Sequence, residues 1–306
     1  MVKFNILKRP SLDRRIHWVA EIRKLSGHFG EDTSRLDIEL QAEIQSQGLP
    51  TLIDHLRLCG AIPESYGHDS SEEKLYSKYT DKLLQLAFER IGFHSLVIKE
   101  RADAADVECV AKDYSFVADA KAFRLSRTAK NQKDFKVGAM HGWKRGKPYA
   151  MVVCPIYQLP AKASQIYHQA ASQNVCIFTY SHLSLLLAFS QLDGPEKTQK
   201  LLRELFTTVE ALNPSKHATD YWIPINRMML GFSHQISGLW QIEKEVSAES
   251  IVVAKEEALT FLSAERERIA RMSREEAIKE LIREQNIDNK IAQIESVADN
   301  EIMNLT

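Results

Sequence analysis

Two apolar runs in the middle of the chain most restrict its fold. YAMVVCPI (149–156) and VCIFTY (175–180) carry no charged residue, a composition typical of central strands that are buried on both faces. The segments AKASQIYHQAAS (161–172) and SHLSLLLAFSQL (181–192), which follow the first and second run, have helical spacing. Buried strands that alternate with helices predict an α/β core.

The segment before these runs predicts a helix and a meander of strands. Residues 70–93 place apolar side chains along one face, and Ser70 with Glu73 forms a capping-box start. Three strand-like segments follow, namely SLVIKE (95–100), DVECVAK (106–112) and FVADAKAF (116–123). A polar helix is predicted from about Thr128 to Trp143.

The remaining sequence predicts helices at both ends of this core. Residues 11–58 show helical spacing with breaks at glycines, and the chain after Gly194 is almost wholly helical. We therefore expect an N-terminal helical segment at 1–69, a core at 70–193 and a helical C-terminal region at 194–306.

Composition gives no global sign of a polyanionic partner. The 306 residues are 44% hydrophobic and carry a net charge of -1, as is ordinary for a globular protein. The four cysteines lack close pairing, which favours reduced, buried thiols over disulfides or a zinc site. Neither a signal peptide nor a membrane-spanning run is recognisable, so we expect a cytoplasmic protein with no membrane partner.

One acid-x-lysine motif differs from the others in its context. The chain contains four, at 72–74, 119–121, 134–136 and 288–290, where roughly two are expected by chance. Three of them lie on predicted helices, where residues two apart point to different sides. Only Asp119 and Lys121 lie on a predicted strand, so only they share a face and can act on one reacting atom.

The preceding strand adds further acids to that face. A hairpin centred on Asp113 and Tyr114 predicts that Asp106 opposes Lys121 and that Glu108 opposes Asp119. Carboxylates that converge in this way repel one another unless a cation joins them, and their hard oxygen atoms suit Mg²⁺. The alternative is a surface hairpin with cross-strand ion pairs.

A basic segment follows the hairpin directly. Residues 121–147 contain nine lysines or arginines and one acid, Asp134. Such a segment neutralises several phosphates, and its arginine and amide side chains are suited to base edges. The residues expected to contact DNA are Arg124, Arg127, Lys130, Asn131, Gln132 and Lys133. A solvated basic helix is the alternative interpretation.

Taken together, these residues resemble a known group of enzymes. SSEEKLYSKYTD, ADVECVAKDYSFVADAKAFRLSRTAKNQKDFKV and YAMVVCPIYQLPAKASQIYHQA are similar to the HindIII type II restriction endonuclease family, within the PD-(D/E)xK nuclease superfamily. The resemblance is strongest from about Ser70 to Tyr180. It implies a restriction-endonuclease-like mixed central sheet flanked by helices. Ala105 replaces the proline of the superfamily motif.

The resemblance also implies the chemistry and the partners. It suggests a bacterial homodimer that cuts both strands of a short palindromic duplex, AAGCTT, with Mg²⁺, two ions per active site, to leave 5′ overhangs. A cognate DNA methyltransferase would protect host sites. The family's metal ligands fall on Asp106 and Asp119, and its catalytic lysine on Lys121. Glu73 resembles a helix acid that assists metal or water binding in related nucleases, although helix capping explains it equally well.

The expected reaction is hydrolysis of a phosphodiester bond. Asp106, Asp119 and the carbonyl of Ala120 would hold the metal, while Lys121 would position the attacking water; the products would carry 5′-phosphate and 3′-hydroxyl ends. Two alternatives remain open at this point. One is a structure-directed or repair nuclease of the same superfamily, and the other is a non-catalytic nucleic-acid-binding protein.

Overall fold

A five-stranded mixed sheet forms the centre of the computed structural model, which describes residues 6–98, 104–127 and 132–295. The strands are β1 (His94–Val97), β2 (Val107–Val110), β3 (Ser115–Ala120), β4 (Tyr149–Cys154) and β5 (Val175–Thr179). They lie side by side in chain order; β1, β2 and β3 pair antiparallel, and β3, β4 and β5 pair parallel. Every residue of β4 and β5 is buried, which confirms the prediction of an α/β core with central apolar strands.

Helices flank the sheet and make up most of the described chain before and after it, as predicted. Before the sheet come α1 (Arg9–Ile22), α2 (Phe29–Gln47), α3 (Leu49–Leu58) and α4 (Ser71–Arg90). Within the core lie α5 (Gln132–Phe135), α6 (Val137–Trp143), a short 3₁₀ helix (Ile156–Gln158), α7 (Gln165–Ser172) and α8 (Tyr180–Asp193). The C-terminal region contains α9 (Pro195–Glu210), α10 (Ala218–Phe232), α11 (His234–Ala270), α12 (Arg274–Glu284) and α13 (Ile287–Glu295).

The chain separates into two compact units, Met1–Ala258 and Leu259–Thr306. The first unit contains the sheet and its main hydrophobic core, and the second contains α12 and α13. The predicted division at residues 69 and 193 remains a prediction. None of the helices within the described ranges has the length and apolar character that crossing a membrane requires.

Helix α4 fixes the position of the candidate site relative to the sheet. Its N-cap Ser70 accepts a hydrogen bond from the amide of Glu73, as the capping pattern predicts. Phe88, near the end of α4, packs edge-to-face on Phe116 of β3 with ring centroids 5.0 Å apart. Asp81 precedes Phe88 by seven residues, about 10 Å along a helix. Asp119 follows Phe116 by three residues, about 10 Å along a strand. This contact therefore accounts for the proximity of the two acids.

The predicted hairpin register was wrong, although the facing of the side chains was right. Val107 lies opposite Ala118, and the amide of Ala111 donates to the carbonyl of Tyr114 at 2.9 Å. The loop therefore consists of Lys112 and Asp113. Because the partner numbers shift by two, every side chain keeps its face. Continued by one pair, this register places Asp106 opposite Asp119 instead of opposite Lys121.

The prediction of one continuous helix over 128–143 was wrong, because the described part of this region forms two helices, α5 and α6. Residues 128–131 lie outside the described ranges, and Lys136 separates α5 from α6 with a left-handed backbone (φ 48°). Phe135 and Val137 are both buried. Residues two apart cannot face the same side of an unbroken helix, so the break at Lys136 allows both side chains to enter the core.

The environment of His182 in α8 predicts that the folded protein loses stability in acid. The buried ring of His182 lies between the rings of Trp222 and Trp240, and its Nδ1 lies 2.6 Å from the hydroxyl of Thr179. Burial lowers the pKa of His182 to about 4. The unfolded chain has a histidine pKa of about 6.5, so it binds more protons than the folded chain between pH 6.5 and pH 4. The free energy of unfolding must therefore decrease as the pH is lowered through this window. At about 1.4 kcal/mol per pKa unit, the loss is about 3 kcal/mol.

Urea unfolding measured from pH 7 to pH 4 tests this prediction. His182→Gln should reduce the dependence of the unfolding free energy on pH, whereas His234→Gln, at an exposed position, should leave it unchanged. The slope that remains in His182→Gln is shared by the other buried groups whose pKa is shifted, among them His55, whose pKa burial lowers, and Asp81, whose pKa burial raises. Equal slopes for wild type and His182→Gln would contradict the assignment.

Candidate active site

Asp119 lies in the middle of the sheet. Strand β3 pairs with β2 on one side and with β4 on the other, which brings Asp119 next to Val152 and leaves its side chain buried. Its carboxylate contacts the ammonium of Lys121 and shares a hydrogen bond with the carboxyl group of Asp106. Burial acts to raise the pKa of Asp119, but Lys121 and the hydrogen bond with Asp106 together outweigh burial and lower it. Asp119 is therefore the ionised member of the pair.

Asp106 immediately precedes β2, and its carbonyl accepts a hydrogen bond from the amide of Ile98 at 2.9 Å. That bond continues the pairing of β1 with β2 and fixes the backbone at this point. Burial raises the pKa of Asp106, and the nearby carboxylates of Asp81 and Asp119 raise it further. Asp106 thus carries the proton of its hydrogen bond with Asp119 when no other cation is bound there.

Lys121 follows β3 directly. Its amide donates to the carbonyl of Val153 at 2.7 Å, which extends the pairing with β4 by one residue. Its side chain is 12% exposed. Burial acts to lower the pKa of Lys121, but Asp119 and Asp106 outweigh burial and raise it. The ammonium therefore stays charged at neutral pH, which suits it to orient a group rather than to remove a proton.

Asp81 completes the group and was not predicted. It is buried on α4, where burial raises its pKa, Lys78 opposes that effect and Asp119 adds to it. The pattern of the sequence assigns Asp81 to the polar face of an amphipathic helix. In the structure the middle of α4 is buried on all sides, from Tyr79 to Leu84. The burial of Asp81 follows from the position of α4 in the folded protein, and the periodicity of the sequence gives no sign of it.

Two other predicted acids have different partners. Glu73 accepts from the Nε of Arg124 at 3.2 Å and from the amide of Asp69 at 2.7 Å. It also lies eight residues before Asp81, about 12 Å along the helix. Glu108 forms an ion pair with Lys147 at 3.0 Å. The structure therefore gives Glu73 a capping and pairing role, and it places Glu108 against the basic segment.

The residues expected to contact DNA lie in different environments. Arg124 is 9% exposed, and its guanidinium donates to the carbonyls of Tyr66 (2.7 Å) and Gly67 (2.8 Å). Arg127 is 60% exposed and lies 3.8 Å from Asp134. Lys130 and Asn131 fall outside the described residues. Gln132 and Lys133 belong to α5, and the structure describes only their backbone.

The pair of Asp106 and Asp119 fits a divalent cation, with Asp81 nearby as a further acid. Asp81, Asp106 and Asp119 come from three separate elements and supply hard oxygen ligands of the kind that Mg²⁺ prefers. The hydrogen bond between the carboxyl groups of Asp106 and Asp119 brings two of these acids together. Asp81 stands somewhat apart, because the three carboxylates do not bring one oxygen each within 4.8 Å of one another. A cation held by Asp106 and Asp119 would replace the shared proton and remove the repulsion.

Comparisons with known proteins show the family to which this chain belongs. The model of the HindIII restriction endonuclease family matches residues 16–298. The type II restriction enzyme HindIII of Haemophilus influenzae is 34% identical over 254 residues, which cover 80% of this chain and 83% of that protein. The chain therefore belongs to the HindIII restriction endonuclease family and is a type II site-specific deoxyribonuclease.

Proposed function

We propose that this enzyme uses Mg²⁺ to hydrolyse one phosphodiester bond in each strand of the palindrome AAGCTT, leaving 5′ overhangs with 5′-phosphate and 3′-hydroxyl ends. Restriction endonucleases generally use a divalent metal, and AAGCTT is the site implied by the resemblance to HindIII. The observation that carries the chemistry is the pair of Asp106 and Asp119, whose carboxyl groups share a hydrogen bond beside the ammonium of Lys121, with Asp81 near enough to affect the pKa of both Asp106 and Lys121.

Each residue then has a distinct role. Asp106 and Asp119, with the carbonyl of Ala120, would hold Mg²⁺, and two ions per active site are proposed; Asp81 offers a further oxygen from α4. When bound, the metal polarises the phosphoryl group and acidifies a bound water. Lys121, held in its charged form by Asp119, orients that water and stabilises the charge that develops on the phosphoryl oxygens.

The basic segment 121–147 would bring DNA to this site. Its local net charge of +8, from nine bases and one acid, contrasts with the -1 of the whole chain. Arg127 is the exposed arginine of the predicted set, and we propose that it contacts DNA together with Lys130, Asn131, Gln132 and Lys133. Arg124 is left out of this group because its donors are used within the protein.

We further propose a homodimer, because two equivalent active sites match the two-fold symmetry of a palindrome. The second compact unit supports it, since α12 and α13 have no buried residue and carry a series of exposed apolar side chains. These are Ile278, Leu281, Ile282, Ile287, Ile291 and Ile294. The proposed setting is the bacterial cytoplasm, where a cognate methyltransferase would protect host sites; four free, buried cysteines suit that compartment.

Digestion of a sequenced plasmid tests the proposed function. A plasmid with one AAGCTT should become linear in Mg²⁺, and the mapped ends should carry 5′ overhangs with 5′-phosphates. A matched plasmid with one base pair of the site changed should be cut far more slowly, because each mismatch costs about 1–3 kcal/mol. Discrete cuts elsewhere would refute the proposed site, random or structure-directed cuts would favour a repair nuclease, and binding without scission in any divalent metal would favour a non-catalytic protein.

A further inference from the structure

A second lysine lies at the candidate active site. Lys78 of α4 is three residues before Asp81, and its Nζ lies 3.1 Å from the Oδ2 of Asp81. Residues three apart on a helix are neighbours, so the backbone itself holds the pair together. No motif in the sequence distinguishes Lys78 from the other lysines of α4.

Lys78 differs from Lys121 in its access to solvent. The side chain of Lys78 is 35% exposed, whereas that of Lys121 is 12% exposed and that of Asp81 is buried. Of the two ammonium groups, that of Lys78 is therefore the more accessible to a polyanion that approaches the acids. Its charge also reaches the other acids: burial acts to lower the pKa of Lys78, but Asp81 outweighs burial and raises it, with smaller contributions from Asp106 and Asp119.

A cation that binds near Asp81 would compete with Lys78 for the negative charge of that carboxylate. The ion pair with Lys78 would then weaken, which leaves the ammonium available to another anion. The ammonium has three donors, no acceptor and a flexible four-carbon chain. The anion nearest to it would then be a phosphate of the approaching strand.

We propose that Lys78 is a substrate-binding residue, whose ammonium exchanges the carboxylate of Asp81 for a phosphate oxygen at or beside the bond that is cut. This inference rests on the proposed function, since it requires DNA at the group of acids. The competing role is purely structural, in which Lys78 only compensates the buried charge of Asp81 in the folded protein.

The dependence of DNA binding on salt separates these two roles. The slope of log K against log salt concentration reports the number of phosphates that the protein neutralises, at about 0.9 per contact. In Ca²⁺, with an AAGCTT duplex, Lys78→Gln should reduce the magnitude of the slope by about 0.9. Lys78→Arg should retain the wild-type slope, because it keeps the charge. Lys74→Gln is the matched control, an exposed lysine one turn earlier on the same helix, and its slope should equal that of wild type.

Two further measurements complete the test. The single-turnover cleavage rate of Lys78→Gln in Mg²⁺ should fall about 10²-fold, with partial recovery in Lys78→Arg. In the wild-type protein, which avoids any failure of a variant to fold, the duplex with Ca²⁺ should protect Lys78 from acetylation and leave Lys74 reactive. An unchanged slope in Lys78→Gln together with unchanged acetylation of Lys78 would overturn the inference. Wild-type cleavage at AAGCTT in the same assay tests the proposed function separately.

Discussion

Asp119→Asn should lower the rate of DNA cleavage in Mg²⁺ by at least about 10³-fold, the effect expected when a central electrostatic group of an active site is lost. The substitution keeps the shape of the side chain but removes the negative charge that faces Lys121 and Asp106. Binding of an AAGCTT duplex in Ca²⁺ should survive, because the basic segment is unchanged. Single-turnover cleavage and a binding titration on the same preparation measure the two effects.

Asp113→Asn provides the matched control for this result. Asp113 belongs to the same hairpin, but it lies exposed in the loop with Lys112. Its substitution makes the same change in charge and should leave both cleavage and binding at wild-type levels. Undiminished cutting by Asp119→Asn would refute the assignment of the active site. It would leave the proposed recognition site untouched if the wild-type protein cuts at AAGCTT.

The second large effect is expected in folding rather than in DNA binding. Arg124→Met should lower the free energy of unfolding by about 3 kcal/mol, as expected when one partner of a buried charged network is removed. The carbonyls of Tyr66 and Gly67 and the carboxylate of Glu73 would lose their donor. Urea unfolding of the wild type and of the variant measures this difference.

Arg127→Gln is the comparison that separates the two arginines. Arg127 is largely exposed, so its substitution should change the unfolding free energy by less than about 0.5 kcal/mol. It should instead reduce the salt dependence of DNA binding by about one phosphate contact. A stable Arg124→Met with a reduced salt slope would return Arg124 to the DNA-binding group.

Local patterns predicted the elements of the site but not their register. The apolar runs identified β4 and β5, and strand alternation identified the shared face of Asp119 and Lys121. The predicted position of the turn was wrong because tertiary packing, which the local sequence does not reveal, determines where the turn lies. The ring of Tyr114 stacks with that of Phe116 and packs edge-to-face against that of Tyr149, and its hydroxyl donates to the carbonyl of Gln199 at 2.7 Å. These contacts, which are distant in sequence, draw Tyr114 into the sheet and out of the turn.

The roles of Asp81 and Arg124 could not be predicted for a related reason. A polar residue on an amphipathic helix looks exposed unless the partners of its polar face are known, and Asp81 is covered on that face. A charge count likewise treats Arg124 as part of a basic surface. Its actual partners are carbonyls of a loop nearly sixty residues earlier in the chain, and no local sequence pattern predicts that contact.

The pairing of Lys121 with Val153 determines the stage of protein synthesis at which the active site can form. The two residues are joined by a backbone hydrogen bond across 32 positions of the chain. A ribosome-bound fragment that ends before β4 already contains Asp106, Asp119 and Lys121, but it lacks the strand that holds the backbone of Lys121. We therefore expect the ability to cleave DNA to arise only after the first half of the chain, through β4, has been synthesised.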